Sequence, residues 1–356
     1  MSEPNSSKPI RVIIVDDTRS IRMMIRAMLA KSPRIEVVAE AGDPYEAREL
    51  IRALNPDVIT LDVVMPRMDG LSFLERVMRL RPMPVIMVST RTTENSAAAI
   101  QALSLGAFDC VDIAALNRDD CAVDLAQLVE AAASSNPRGP SGQAPVAVGA
   151  APQPATPALQ WNGKAVLIGS STGGVDALTT VLGGFPADCP PTLIAQHMPP
   201  AFLESFAARL DRTVPPRVGL AADGSALEQG VVLFAPGDGT HLVMGEGRQA
   251  GVSLVPDDGS EMFTPSVNVL FASGIAQAKR VVAVMLTGMG KDGAAPMLKL
   301  REAGAYTIAQ DSASSVVDGM PRAARDIGAA MEVANLSHMS AAIMAQVVKN
   351  EREKTA

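Results

Sequence analysis

The sequence predicts an α/β protein made of two doubly wound, parallel-sheet domains. Three observations carry this expectation. Short apolar runs alternate with stretches of helical period five times in the first part of the chain. A second series of alternations begins near Lys164. Between them, residues 134–160 are rich in Pro, Ala and Gly and hold no apolar period, the composition of a semi-flexible linker. The expected division is therefore 1–133, a linker over 134–160, and 161–350.

In the first domain, "IRVIIVDD" is a buried strand, followed by a helix with Ile21, Met24, Ile25, Met28 and Leu29 at helical spacing. "IEVVAEA" is the second strand, and "DPYEARELIRALN" a helix opened by an Asp cap. "PDVITLDVVMP" and "GLSFLERVMRL" form the third unit, "MPVIMVST" and "ENSAAAIQALSLG" the fourth, "FDCVDI" and "DDCAVDLAQLVEAAAS" the fifth. Repeated strand–helix units imply a parallel sheet with helices on both faces.

The second domain offers "KAVLIG", "PTLIAQH", "VVLFAP", "HLVMG", "VSLVP", "VVAVMLTG" and "AYTIAQ" as strands. Helical stretches lie at "VDALTTVLGGF", "AFLESFAARLD", "PSVNVLFASGIAQ" and "AAPMLKLREAG". The close pair "HLVMG" and "VSLVP" reads as a hairpin interrupting an otherwise parallel sheet.

Composition excludes several classes. Net charge is −7 with no basic run, and aromatics are only 3 %, so no nucleic-acid partner is expected. No run of about 18 apolar residues occurs, so no membrane insertion is expected. The polar start "MSEPNSSKP" is no signal peptide. Cys110, Cys121 and Cys189 are scattered, without metal-ligand spacing, as in reduced cytoplasmic proteins.

Asp16 and Asp17 end the first strand and Asp62 ends the third. In a sheet of order 2-1-3-4-5 those strands are neighbours, and their carboxyl ends face the crevice at the switch point. Three carboxylates there repel one another unless a cation joins them, and oxygen ligands suit Mg²⁺. The pair Asp16-Asp17, the segment "TLDVVMPRMDG" and "MVST" make residues 10–130 resemble the flavodoxin-like receiver domain of two-component response regulators. The resemblance implies that Asp62 accepts a phosphoryl group from a histidine kinase. It implies Mg²⁺ held by Asp17, Asp62 and the Val64 carbonyl with Asp16 nearby, and Ser89 bonding the phosphoryl oxygen. One departure stands out. Ile113 and Ala114 occupy the positions where that family carries a Lys-Pro pair, with Arg91 and Arg118 as candidate substitutes for the lysine.

In "AVLIGSSTGG", residues 165–174, Gly169 to Gly173 satisfy G-x-S-x-G with Ser171 in the centre. The phosphate-loop alternative lacks its lysine and its glycine spacing. A serine nucleophile needs a base, and the chain has three histidines. His338 falls near the C-terminus, His241 opens a hairpin strand, and His197 follows "PTLIAQ" at the carboxyl end of a strand. For the orienting carboxylate, Asp292 in "GMGKDGA" and Asp238 in "APGDGTH" both follow apolar strands, and spacing leaves them even.

The segments "IGSSTGG", "AQHMPPAF", "FAPGDGTHL", "PSVNVLF", "LTGMGKDGA" and "AGAYTIAQDSASSVVDGMPRAA" make residues 161–350 similar to the catalytic domain of the chemotaxis protein-glutamate methylesterases. A receiver linked to that domain is this family's architecture. The resemblance implies Ser171 as nucleophile, His197 as base and Asp292 as orienting acid. It adds the Met289 amide in the oxyanion hole and Thr172 in support of the histidine. It further implies hydrolysis of glutamate methyl esters, and deamidation of glutamines, on the cytoplasmic helices of methyl-accepting chemoreceptors. The receiver would block receptor access until phosphorylated. An adaptor with an inert site is the competing reading, and an intact Ser171, His197 and Asp292 set argues against it.

Overall fold

Residues 10–15 form a strand because branched Val and Ile side chains fill both faces of an extended chain, and Val12 to Val15 are all buried. This computed structural model describes residues 8–65, 68–89, 93–113, 124–135, 159–245 and 251–349. The chain divides into two compact units between Gly142 and Gln143. Most of the expected linker lies outside the described residues, as do Cys121, Arg91, Arg118 and Ala114.

In the first unit, β1 (Ile10–Val15) is flanked by β2 (Ile35–Ala41) and β3 (Val58–Asp62). β4 (Val85–Ser89) and β5 (Asp109–Asp112) complete a parallel sheet of order β2-β1-β3-β4-β5, as expected. The helices are α1 (Arg19–Leu29), α2 (Pro44–Leu54), α3 (Gly70–Leu80), α4 (Thr93–Ser104) and α5 (Leu125–Ser134). Asp43 caps α2 by accepting the amides of Tyr45 and Glu46. α3 begins hard against the end of β3. A side chain at Gly70 would put its Cβ 2.0 Å from the Asp62 carbonyl oxygen, so only glycine fits.

The second unit is built on seven parallel strands. They are β6 (Ala165–Ser170), β7 (Thr192–Gln196), β8 (Arg217–Leu220), β9 (Val231–Phe234), β12 (Val281–Met285), β13 (Tyr306–Gln310) and β14 (Glu332–Ala334), in the order β14-β13-β12-β6-β7-β9-β8. β10 (Thr240–Met244) and β11 (Val252–Pro256) pair antiparallel as a separate two-stranded sheet, so the expected hairpin stands apart from the parallel one. The helices are α6 (Gly174–Gly183), α7 (Pro200–Thr213), α8 (Val267–Ser273), α9 (Ala294–Glu302), α10 (Met320–Asp326) and α11 (Leu336–Val347). Where one long helix was expected over "PSVNVLFASGIAQ", α8 stops at Ser273 and a 3₁₀ segment, Ile275–Arg280, follows. Gly274 lies tight against the sheet there, with its missing Cβ 2.9 Å from Leu167.

Leu167, Leu193, Ala195, Met285, Phe271 and Met297 lie together in one core of this unit. Full burial of a Leu, Met or Phe side chain stabilises by about 1.5–3 kcal/mol. Cys189 is also buried, which pushes its thiol up to about 12, and burial likewise raises the Cys110 thiol. Both serve as small apolar residues. The two ends of the second unit meet. Trp161 bridges Val348, the Asn162 amide donates to Val347 at 2.9 Å, and the Lys349 amide donates to Gln160 at 2.7 Å.

Candidate active site

The strand order places the carboxyl ends of β12, β6 and β7 side by side, and the three candidate residues of the second unit follow those ends. Ser170 and Ser171 are not equivalent. Ser170 is fully buried, and its hydroxyl donates to Gln196 Oε1 at 2.6 Å. Gln196 in turn donates to the carbonyls of Ser171 at 2.9 Å and His197 at 3.0 Å. Ser171 is only half-buried, and its amide donates to the Thr287 carbonyl at 3.0 Å. The Thr287 hydroxyl donates to the Thr172 carbonyl at 3.0 Å. The turn is thus pinned to both neighbouring strands. Gly173, at φ 79°, then carries the chain into α6.

The turn after β12 approaches the serine closely. A Cβ on Gly288 would lie 2.8 Å from Ser171 Cβ and 2.4 Å from Met320 Sδ. Met289 follows it, half-buried.

His197 and Asp292 are bonded, with Nε2 2.8 Å from Oδ2 and side chains 7 % and 6 % exposed. His197 Nδ1 is buried and has no hydrogen-bond partner among the described residues. The ring stacks on Phe263, with centroids 4.1 Å apart and planes 15° apart. Asp292 also accepts the amides of Val267 at 2.8 Å and Asn268 at 3.0 Å, where α8 begins. Burial opposes ionisation of Asp292, but the His197 hydrogen bond and charge and the two amides outweigh it. The carboxyl is held below its ordinary range.

The two aspartates differ in position, and Asp292 is the one bonded to His197. Asp238 is exposed and accepts the Thr240 hydroxyl at 2.7 Å, and it follows β9, beyond β7 from the serine strand. His241 is buried against Asp257, with Nε2 3.3 Å from Oδ1, and accepts the Ser266 amide at 3.1 Å. His338 is exposed on α11. Gln196, Thr287 and Phe263 carry weaker marks in the sequence. The first two end or follow apolar strands, whereas Phe263 is a lone aromatic in a polar loop and leaves no periodic signal.

In the first unit, carboxylate oxygens of Asp16, Asp17 and Asp62 lie within 4.8 Å of one another. Burial pushes the Asp62 carboxyl up to about 7, and the charge of Asp16 adds to it. Burial likewise raises Asp16 to about 6, against the pull of the Thr18 amide. Such a trio, all hard oxygen donors with mutual repulsion, fits a divalent cation. Val64 follows at the surface, and its amide donates to Asp62 Oδ1 at 3.2 Å. Ile113 is buried directly after β5, so an apolar side chain fills the place of the usual lysine. Ser89 ends β4, and its side chain lies outside the described residues.

Both halves match known families over these sites. Residues 12–112 match the response regulator receiver domain, and residues 166–343 match the CheB methylesterase family. The chain belongs to the CheB methylesterase family. Among CheB-type relatives, the protein-glutamate methylesterase/protein-glutamine glutaminase 1 of Caulobacter vibrioides is 48 % identical over 338 residues, covering 94 % of this chain and 97 % of that protein. The protein-glutamate methylesterase/protein-glutamine glutaminase of Rhizobium etli is 49 % identical over 324 residues, covering 91 % and 92 %. The crystal structure of the Thermotoga maritima CheB methylesterase catalytic domain aligns at 34 % identity with a TM-score of 0.50, covering 52 % of this chain and 99 % of that one.

Proposed function

We propose that the protein hydrolyses glutamate methyl esters, and deamidates glutamines, on the cytoplasmic helices of methyl-accepting chemoreceptors, under control of phosphorylation at Asp62. The observation that carries this reading is the orientation of His197. Asp292 takes Nε2 at 2.8 Å, which fixes the ring proton there and leaves Nδ1 as the free lone pair. Nδ1 is therefore the general base.

Ser171 Oγ attacks the ester carbonyl carbon while its proton passes to His197 Nδ1. The tetrahedral oxyanion is met by backbone amides of the two turns, with Met289 in that role. Collapse breaks the ester C–O bond, and the His197 proton goes to the leaving methoxide, giving methanol and an acyl-enzyme. Water then attacks, returning its proton through His197 and releasing glutamate and free Ser171. With glutamine the leaving group is ammonia and the other steps are unchanged. Thr172 supports the histidine side of the turn. Asp292 holds the ring and stabilises the imidazolium without accepting its proton.

In the receiver, Asp62 is the phosphoryl acceptor and a chemotaxis histidine kinase the donor. Asp16, Asp17 and Asp62, with the Val64 carbonyl, would hold Mg²⁺, which when bound neutralises charge on the transferring phosphoryl group. Ser89 is assigned the bond to the phosphoryl oxygen. The reactions belong in the cytoplasm, where kinase and receptor helices lie. No helix among the described residues is long and apolar enough to cross a membrane.

The test is methanol release from methyl-labelled receptor membranes supplied with acetyl phosphate and Mg²⁺. Ser171→Ala should abolish release while leaving the unfolding midpoint unchanged. Retained release would remove Ser171 as nucleophile.

A further inference from the structure

A single hydrogen bond fixes one edge of an imidazole but not its plane. The His197 ring turns about its Cβ–Cγ bond, and the Asp292 hydrogen bond at Nε2 lies near that axis, so by itself it restrains the turn weakly and leaves the Nδ1 lone pair free to shift with the plane. The second restraint comes from the segment between β11 and α8. Phe263 lies face to face with the ring, at 4.1 Å and 15°. Because the lone pair lies in the ring plane, a stacked partner that fixes the plane also fixes the direction in which Nδ1 accepts a proton.

The segment that carries Phe263 is itself tied down. The Thr264 hydroxyl bonds Asp257, and Asp257 bonds buried His241 at 3.3 Å. Glu261 accepts the Ser266 hydroxyl at 3.1 Å and the Asn268 side-chain amide at 3.0 Å. Asn268 also donates its backbone amide to Asp292, and the Ser266 hydroxyl lies 3.4 Å from the same carboxylate. One polar cluster thus anchors both restraints on the ring. The face of Phe263 also suits the charge that develops, since an aromatic face attracts a cation more strongly than a neutral ring.

We propose that Phe263 is a positioning residue for the reaction, aligning the His197 base and stabilising its imidazolium. The proposal rests on the serine–histidine reading above and deepens it. It concerns the chemical step, so removing the aromatic face should lower kcat and leave KM alone.

The experiment uses the full chain with acetyl phosphate, Mg²⁺ and methyl-labelled receptor membranes over a range of receptor concentration. Phe263→Leu, which keeps apolar bulk, should lower kcat by about thirtyfold, the size of a cation–ring contact in a desolvated site, with KM changed by less than about twofold. Phe263→Tyr, which keeps the face, should restore most of the rate. If Phe263→Leu does not fold, Phe263→Met carries the same expectation. A wild-type kcat in the leucine variant, an equal loss in the tyrosine variant, or a change confined to KM would each overturn the proposal. Ser171→Ala in the same assay separates the two readings: if it matches wild type, the serine mechanism fails, and if it is inactive while Phe263→Leu is fully active, only the role of Phe263 fails.

Discussion

Asp292 accepts more hydrogen bonds than its histidine alone supplies. Against its burial, the His197 hydrogen bond and charge do most to keep the carboxylate ionised, and the Val267 and Asn268 amides add to them. Asp292→Asn removes the charge. Oδ2 takes both Nε2 and the Val267 amide, and Oδ1 takes the Asn268 amide, so an asparagine nitrogen at either place meets a backbone donor, and the uncharged side chain no longer holds the ring proton on Nε2. The expected result is a fall in kcat of about 10³- to 10⁴-fold with the fold retained, read from methanol release beside a thermal melt. At this scale the sequence was only partly legible. The G-x-S-x-G register separates Ser171 from Ser170, and the structure separates them too, with Ser170 buried against Gln196 and Ser171 half-buried. Asp238 and Asp292 stay equal on spacing, because spacing does not say which strand lies beside β6.

Strands buried on both faces announce themselves as apolar runs, which is why β6, β7, β12 and β13 were readable. β8 and β14 were not. They lie at the two edges of the sheet, they span four and three residues, and each buries a single side chain. The catalytic geometry depends on the interior strands and on the turns that leave them. Gly288 is the most exposed to test. A methyl there can push the flexible Met320 side chain aside, but it cannot avoid Ser171 Cβ without moving the nucleophile. Gly288→Ala should therefore lower kcat by at least about tenfold while costing about 1–3 kcal/mol of stability, measured by methanol release and by denaturant unfolding. Full activity in this variant would mean that the two turns move independently.

The buried carboxylates at the two sites respond to pH in opposite ways. Asp62 and Asp16 bind protons more tightly folded than unfolded, so what they contribute to the receiver unit is fully present below the ordinary carboxyl value of 3.8. That contribution is lost as pH rises through about 6 to 7. Asp292 is held below 3.8, so its contribution to the catalytic unit is present above that value and is lost only as pH falls through its folded pKa. Calorimetry in a chelator should show the receiver transition falling by several degrees between about pH 5 and pH 8, with Mg²⁺ or Asp16→Asn reversing most of the fall. A transition insensitive to both would show that the three carboxylates do not repel in solution. The division into two units was legible because the Pro, Ala and Gly tract interrupts every apolar period, whereas the loss of the lysine at Ile113 was visible without revealing what the buried replacement does. The bridge from Trp161 to Val348 has a consequence of its own. Chain that enters and leaves the sheet-bearing part of the unit side by side can be joined there. A short splice between residues near 160 and 349 would let that part be opened at another surface turn, yielding a circular permutant with the same sheet and the same Ser171.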